Sequence, residues 1–345
     1  MTTSRSRRLG VAAAVTAVAA ALTACGSADA GVGSENALTI YSGRNEQLVG
    51  PLLEQLEEAV GTEVEIRYAG SSELAAQLLE EGEATDADVF FSQDAGALGA
   101  LAKAGRLEPL PDDVLSLVPD RYTDDEGRWV ATSARARVLA FDPAHAPEAE
   151  QITGIDQILD ERYRGKIGFA PTNASFHSFV TALRVERGED AARQWLERFA
   201  ALEPQAFENN VAVLDAVDSG EVALGLINHY YWYERVAEVG EDAVKARIHF
   251  LDSDDPGALV NVAGAGVLAG SAQEDAAVRA VEYLLSKDAQ RYFADQTAEY
   301  PVIAGVTSAK FDLQPLGELE GSAVDLNQLD SLDQTLALLD EVGLT

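Results

Sequence analysis

One cysteine stands in 345 residues, which excludes an internal disulfide and any cysteine-built metal cluster. Basic residues are scarce: 25 Lys and Arg face 58 Asp and Glu, for a formal charge of −33. Such a surface repels phosphate backbones, so nucleic acid is excluded as a partner, and it opposes electrostatic docking on anionic headgroups. There is no phosphate loop ending in Gly-Lys-Ser/Thr, no His-Glu-x-x-His and no Gly-x-Ser-x-Gly elbow. The stretch from Gly264 to Gly270 is glycine-rich, but its third glycine comes one place too late for a dinucleotide loop. The four histidines, His145, His177, His229 and His249, are scattered and read as structural or solvated. No nucleophile–base pair is evident, so the chain reads as a non-enzyme. What remains is ordinary: 47% hydrophobic and 24% charged residues exclude wholesale disorder, collagen and coiled coil, and the length suits two domains.

The amino end reads as a targeting segment. Residues 1–8 carry Arg5, Arg7 and Arg8 and no acid, and the apolar run at 9–21 falls short of the roughly 20 residues of a membrane span. It ends in Leu22-Thr23-Ala24-Cys25, which resembles a bacterial lipoprotein signal over residues 1–24, with Cys25 as the lipidated residue. More than one acyl chain on that residue is what durable anchoring requires. Residues 25–36 are small and polar and read as a flexible tether. The expected location is the extracytoplasmic face of the cell membrane, through the lipid anchor.

From residue 37 the chain alternates strands and helices. Residues 37–41, 64–68 and 88–92 read as strands, each followed by a helix, so a parallel sheet covered by helices is expected. Ser72 and Asp94 read as helix N-caps, and Pro51 places the start of regular helix near that residue, leaving 45–50 as a loop or first turn. In such folds ligands lie beyond the carboxyl ends of strands, here 41–46, 69–72 and 92–94. Residues 129–142 and 259–268 look like two long strands crossing between domains. Shorter strands are expected at 166–171, 206–208, 222–227 and 248–251, then helices at 274–285, 288–296 and near 326–342.

Tyr230-Tyr231-Trp232-Tyr233 is the informative cluster. It follows an expected strand, so it sits at a ligand-binding edge. Two adjacent phenols converge on one ion if the backbone turns tightly there. Phenolate oxygen is a hard anionic donor that suits Fe3+. Because a free phenol has a pKa of about 10, loading displaces protons and acid releases the metal. Read from composition, the same cluster is equally an aromatic core patch or a sugar-stacking platform.

Several stretches together resemble one family: Leu38-Thr39-Ile40-Tyr41-Ser42-Gly43-Arg44, Ala87-Asp88-Val89-Phe90-Phe91-Ser92, Gly168-Phe169-Ala170-Pro171-Thr172-Asn173, Ile227-Asn228-His229-Tyr230-Tyr231-Trp232, Asp255-Pro256-Gly257-Ala258-Leu259-Val260 and Ala298-Glu299-Tyr300-Pro301. In order and spacing they resemble the ferric-ion-binding lipoproteins and periplasmic proteins of bacterial iron ABC transporters. The resemblance implies an α/β, two-lobed periplasmic-binding-protein fold of type II-like form, with hinge strands between the lobes. The expected lobes are 37–137 with about 262–312, and about 138–261 with about 313–345. It implies Fe3+ as the ligand, Tyr230 and Tyr231 as its donors, and a permease of an iron ABC transporter as partner, the protein acting as a monomer. Many members have a histidine where Asn45 stands, a tyrosine where Glu46 stands and a glutamate where Gln93 stands. Glu46 or Asp94 remains to supply a carboxylate, although Glu46 is equally a surface charge and Asp94 equally a cap.

With protein ligands missing, a synergistic carbonate or phosphate is expected, and arginine's planar fork suits either. Arg44, Arg135 and Arg137 are the candidates to hold it, a salt bridge to the many acids being the alternative. Asn173 and Ser175 open an apolar helix whose amides face the anion, and in the family the matching segment and an asparagine like Asn210 contact it. Asn228, Tyr41, Asn45 and Gln93 complete the surrounding set, and closure is expected to bring Tyr41 and Arg44 against the tyrosine pair. A binding protein for thiamine, a polyamine or an organophosphonate, and a lipid-anchored metallohydrolase, are the rival readings.

Overall fold

The computed structural model describes residues 37–252, 255–313, 315–319 and 324–345. The expected signal segment 1–24, Cys25 and the tether to residue 36 lie outside the described residues.

Among the described residues nine strands form the frame: β1 Leu38–Ser42, β2 Val64–Tyr68, β3 Val89–Ser92, β4 Val130–Phe141, β5 Ile167–Phe169, β6 Gln205–Ala206, β7 Leu224–Asn228, β8 Arg247–His249 and β9 Val260–Val267. They lie in the order β2-β1-β3-β9-β4-β7-β5-β6, with β8 also paired to β4. β1 runs parallel to β2 and β3, and β5 parallel to β6 and β7. Helical crossovers return each chain in the same direction, which makes these pairs parallel. The exceptions are the two long strands, β4 and β9, which run antiparallel to each other and to their flanking strands.

β4 joins the two halves. Its residues 130–136 pair with β9, while 137–141 pair with β7 and in part with β8. The apolar packing divides at the same place. Val130, Ala134 and Ala136 join the cluster of Leu38, Phe90 and Val267. Beyond that point Leu139 and Phe141 join Phe176 and Phe179, and Val138 and Ala140 join Val213 and Ile227. Two lobes therefore share a continuous strand buried along its full length.

Local chemistry shifts several element boundaries. The Asn45 side chain accepts from Gln47 N at 2.8 Å and starts the helix Glu46–Leu53, so residues 46–50 are helical and Pro51 lies inside the helix, removing one internal bond. Ser72 is not a cap: the helix Ser71–Glu81 begins one residue earlier, with Gly70 at its N-cap. Ser71 is needed elsewhere, donating to Gly43 O at 3.2 Å and accepting from Gln93 N at 2.8 Å. It thus ties the ends of β1 and β3 together. A Cβ on Gly43 would stand 2.8 Å from Ser71 Cα, so only glycine admits this approach. Asp94 is a cap, accepting from Ala97 N at 3.0 Å.

The carboxyl-terminal segment departs from the expected lobe assignment. Leu313 packs against the first cluster, and Leu326 and Leu329 belong to it, whereas Leu338, Leu339 and Leu344 belong to the second. The expected single helix is split into a 3-10 turn, Leu326–Leu329, and a helix, Leu332–Glu341. The turn seats on Gly96 and Gly99 of the helix Ala95–Lys103, where added Cβ atoms would fall 2.9 Å from Leu329 O and 3.1 Å from Asp330 Cβ. Those two glycines make the flat surface that draws the segment back to the first lobe.

The antiparallel contact of β4 and β9 leaves no room for a side chain at Gly264, whose Cβ would sit 2.7 Å from Val130 O and 2.8 Å from Leu98 Cδ1. Gly264→Ala must move backbone and is expected to cost about 1–3 kcal/mol, read as a lower urea midpoint at unchanged slope.

Candidate metal and anion site between the lobes

The site grows from the end of β7. His229 follows that strand, and its backbone N donates to Ala136 O of β4 at 3.0 Å. Its ring is held on both sides: Nδ1 accepts from Ala136 N at 3.2 Å and Nε2 faces Ala298 O at 2.9 Å. Those partners select the neutral Nε2–H tautomer. The ring also stacks on Tyr300, centroids 4.6 Å apart. His229 therefore fixes where the helix Tyr230–Val239 begins. The other histidines likewise have local partners: His145 meets Asp142, His177 meets Ser72 and Pro171 O, and His249 meets Ile152 O.

That start turns Tyr230 and Tyr231 to the same place. They are 2% and 7% exposed, with ring centroids 4.2 Å apart and planes 38° apart. Tyr233 diverges to Phe311 and to Asp312 O. Burial pushes the Tyr230 phenol well above its ordinary range; Tyr231 and Glu299 push it further, while Arg135 and Arg44 oppose. Burial also raises Tyr231, while Tyr230 and Asn210 beside its hydroxyl lower it. Without a cation both phenols stay protonated at neutral pH.

Two guanidinium groups face the pair, and they differ. Arg44 donates to Glu299 Oε2 at 2.5 Å and to Ser133 Oγ at 3.3 Å. Burial lowers the Arg44 pKa most, but Glu299, Tyr230 and Tyr231 together raise it above its ordinary value. Arg135 is 1% exposed, and none of its three guanidinium nitrogens has a hydrogen-bond partner among the described residues. Burial lowers its pKa, Tyr230 raises it and Arg44 lowers it, with smaller raising effects from Glu299 and Asp94. A buried cation without a hydrogen-bond partner strongly favours negative charge beside it.

A polar chain backs the tyrosines. Asn173 caps the helix Ala174–Arg187 by accepting from Ser175 N at 3.0 Å. Ser175 Oγ donates to Asn173 Oδ1 at 2.8 Å and accepts from Asn210 Nδ2 at 3.1 Å. Asn210 then reaches Tyr231. Asn228, last residue of β7, is buried, and its Nδ2 has no partner.

Other expected residues lie apart from this cluster. Arg137 is held by Ser175 O at 3.2 Å and Leu226 O at 3.5 Å, over the Phe179 ring. Burial lowers its pKa to about 9; Nη1 and Nη2 are engaged by carbonyls of the second lobe, while among the described residues Nε has no hydrogen-bond partner. Tyr41 does not meet the tyrosine pair: its hydroxyl lies 3.4 Å from both Glu81 Oε1 and Arg67 Nη1, because β1 pairs it in register with Arg67. Asn45 is exposed and used as a cap. Glu46 is exposed in the same first turn and lines a surface hollow with Glu54, Glu57 and Tyr68. Gln93 is half-buried with a partnerless Nε2. Asp94 is buried at its cap, and Arg135 partly offsets the upward push of burial on its carboxyl.

Three residues of this centre were not singled out from sequence: Glu299, Ser133 and Glu234. Glu299 lies 255 positions from Arg44, a distance no local pattern spans. Glu234 stands three and four places after the tyrosines, so helical spacing alone points to it.

Two lobes sharing β4, with a buried polar centre where they meet, are the frame of a two-lobed binding protein. The chain belongs to the bacterial extracellular solute-binding protein family, whose profile matches residues 85–318; it is a binding protein of transport, not an enzyme. It is 34% identical over 309 residues to the major ferric iron-binding protein of Neisseria meningitidis serogroup B, covering 89% of this chain and 93% of that one. To the Fe(3+)-binding periplasmic protein of Serratia marcescens it is 31% identical, covering 90% and 91%. The crystal structure of iron-bound HitA from Pseudomonas aeruginosa superposes with a TM-score of 0.83 at 34% identity, covering 89% of this chain and 99% of that one.

His229 makes the metal-free fold sensitive to acid. Burial lowers its pKa to about 4, against about 6.5 unfolded. The folded state therefore refuses a proton that the unfolded chain accepts. Its stability contribution is full above about pH 6.5 and is lost progressively as pH falls to about 4, by about 3 kcal/mol at 1.36 kcal/mol per pKa unit. In urea titrations across that window, His229→Gln is expected to lack this share of the acid-induced loss; an acid limb equal to that of the native chain would contradict the assignment.

Proposed function

We propose that this protein captures Fe3+ in the cleft through the phenolates of Tyr230 and Tyr231, with a carbonate or phosphate ion held by Arg135. One observation carries the reading: two touching, buried phenols face a buried guanidinium that has no partner. The names and iron-bound state of the relatives support ferric iron as the cargo.

Capture follows from charge. Fe3+ displaces both phenol protons, and the phenolates then lie beside Arg135 and Arg44 in a site that excludes water, where opposite charges attract most strongly. The Arg44 charge is already matched by Glu299, which leaves Arg135 for the anion. Asn210, oriented by Ser175 and Asn173, steadies Tyr231. Opening and closing bend the β4 and β9 strands that join the lobes, the hinge form of domain closure. The cargo then passes to an ABC permease. A lipid on Cys25 would hold the protein at the outer face of the membrane for that transfer. The relatives are binding proteins of transport, which leaves the metallohydrolase reading without support.

Titration with ferric citrate in carbonate buffer tests the reading. A coloured complex saturating at one iron per chain is expected, and Tyr230→Phe and Tyr231→Phe should each abolish it. No colour, or colour indifferent to both changes, would contradict ferric capture. Acid must bleach the complex, because burial makes both phenols, Tyr230 most of all, bind protons more tightly than an exposed phenol once the ion leaves. Arg135→Met is expected to weaken loading at least tenfold in carbonate and to remove its dependence on carbonate, measured by citrate competition.

A further inference from the structure

We propose that Glu234 is a third protein donor to the ferric ion, supplying the carboxylate that Asn45 and Gln93 cannot. This rests on the ferric reading of the tyrosine pair.

Glu234 is four residues after Tyr230 and three after Tyr231 on one helix, which makes it a neighbour of both. Helical side chains lean toward the amino end of their helix, so Glu234 covers the turn from which the two tyrosines project. The residues between and beyond are committed elsewhere. Trp232 Nε1 donates to Ala246 O at 2.8 Å, Tyr233 packs on Phe311, and Arg235 pairs with Asp215.

Its carboxylate has no such commitment. Oε1 is buried without a hydrogen-bond partner, a costly state for a polar atom. The charges it feels span the cleft: Glu299 and Arg44 on the first lobe, Lys310, and Tyr231 beside it. Arg44 is already matched by Glu299 at 2.5 Å, so it does not neutralise Glu234. A carboxylate is a hard donor of the kind Fe3+ takes. Two phenolates and one carboxylate balance the ion's three charges, leaving Arg135 to balance the added anion.

The test compares the full chain with Glu234→Gln, Glu234→Asp and Tyr231→Phe, each loaded with ferric citrate. Glu234→Gln should keep a phenolate charge-transfer band, moved to longer wavelength because the ion becomes more electron-poor. Free citrate should strip its iron at a concentration at least tenfold lower, and Glu234→Asp should recover part of the difference. A band and a citrate midpoint equal to those of the native chain would overturn the proposal while leaving the tyrosine reading intact. A colourless native chain, or colour that survives Tyr231→Phe, would instead remove the ferric reading on which the proposal rests. Thermal melting of each metal-free variant guards against misfolding: if Glu234→Gln melts early, the Glu234→Asp comparison decides, its unchanged midpoint and band counting against ligation.

Discussion

Desolvation of charge at the meeting of the two lobes governs this structure. Arg135 is buried with no hydrogen bond to any of its nitrogens, next to two phenols that burial keeps protonated. A buried guanidinium without a partner costs several kcal/mol, so this centre favours negative charge beside Arg135. In the proposed reading Fe3+ displaces two phenol protons and leaves the centre one positive charge richer, so it is the accompanying anion that offsets Arg135. Arg44 is the contrasting case: its link to Glu299 satisfies it within the first lobe, so it contributes field without demanding a further partner.

The architecture exists to hold that arrangement between two bodies. β4 passes from one apolar cluster to the other, and Arg135 stands just before the change of partner, opposite Asn261 on β9. Two residues later Arg137 stands opposite Asn228 on β7, already inside the second lobe. His229 ties the first turn of the tyrosine helix to β4 and to Ala298. The same contacts that fix the phenols therefore reach across both lobes, and a small movement of β4 changes the relation of Arg135 to Tyr230.

Much of this was legible in the sequence because it is local. The strand–helix alternation, the two long crossover strands and the tyrosines after β7 each depend on spacing within a dozen residues. What was hidden depends on partners far along the chain. Arg135 and Arg137 have the same parity on one strand, so periodicity treats them alike; they separate only because β4 exchanges β9 for β7 between them. Tyr41 was expected in the cleft, but its register with Arg67 turns it toward Glu81. Asn45 outweighed Pro51 because one cap bond suffices to start the helix early. Leu326 and Leu329 were drawn to the first lobe by a glycine surface some 230 residues earlier, a distance at which sequence patterns carry no signal.

Resonance Raman scattering from the iron-loaded protein, excited in its visible band, tests the central claim most directly. The account predicts enhanced tyrosinate ring and iron–oxygen modes that disappear from the spectra of both single phenylalanine variants. Bound iron whose spectrum carries no tyrosinate modes would contradict it.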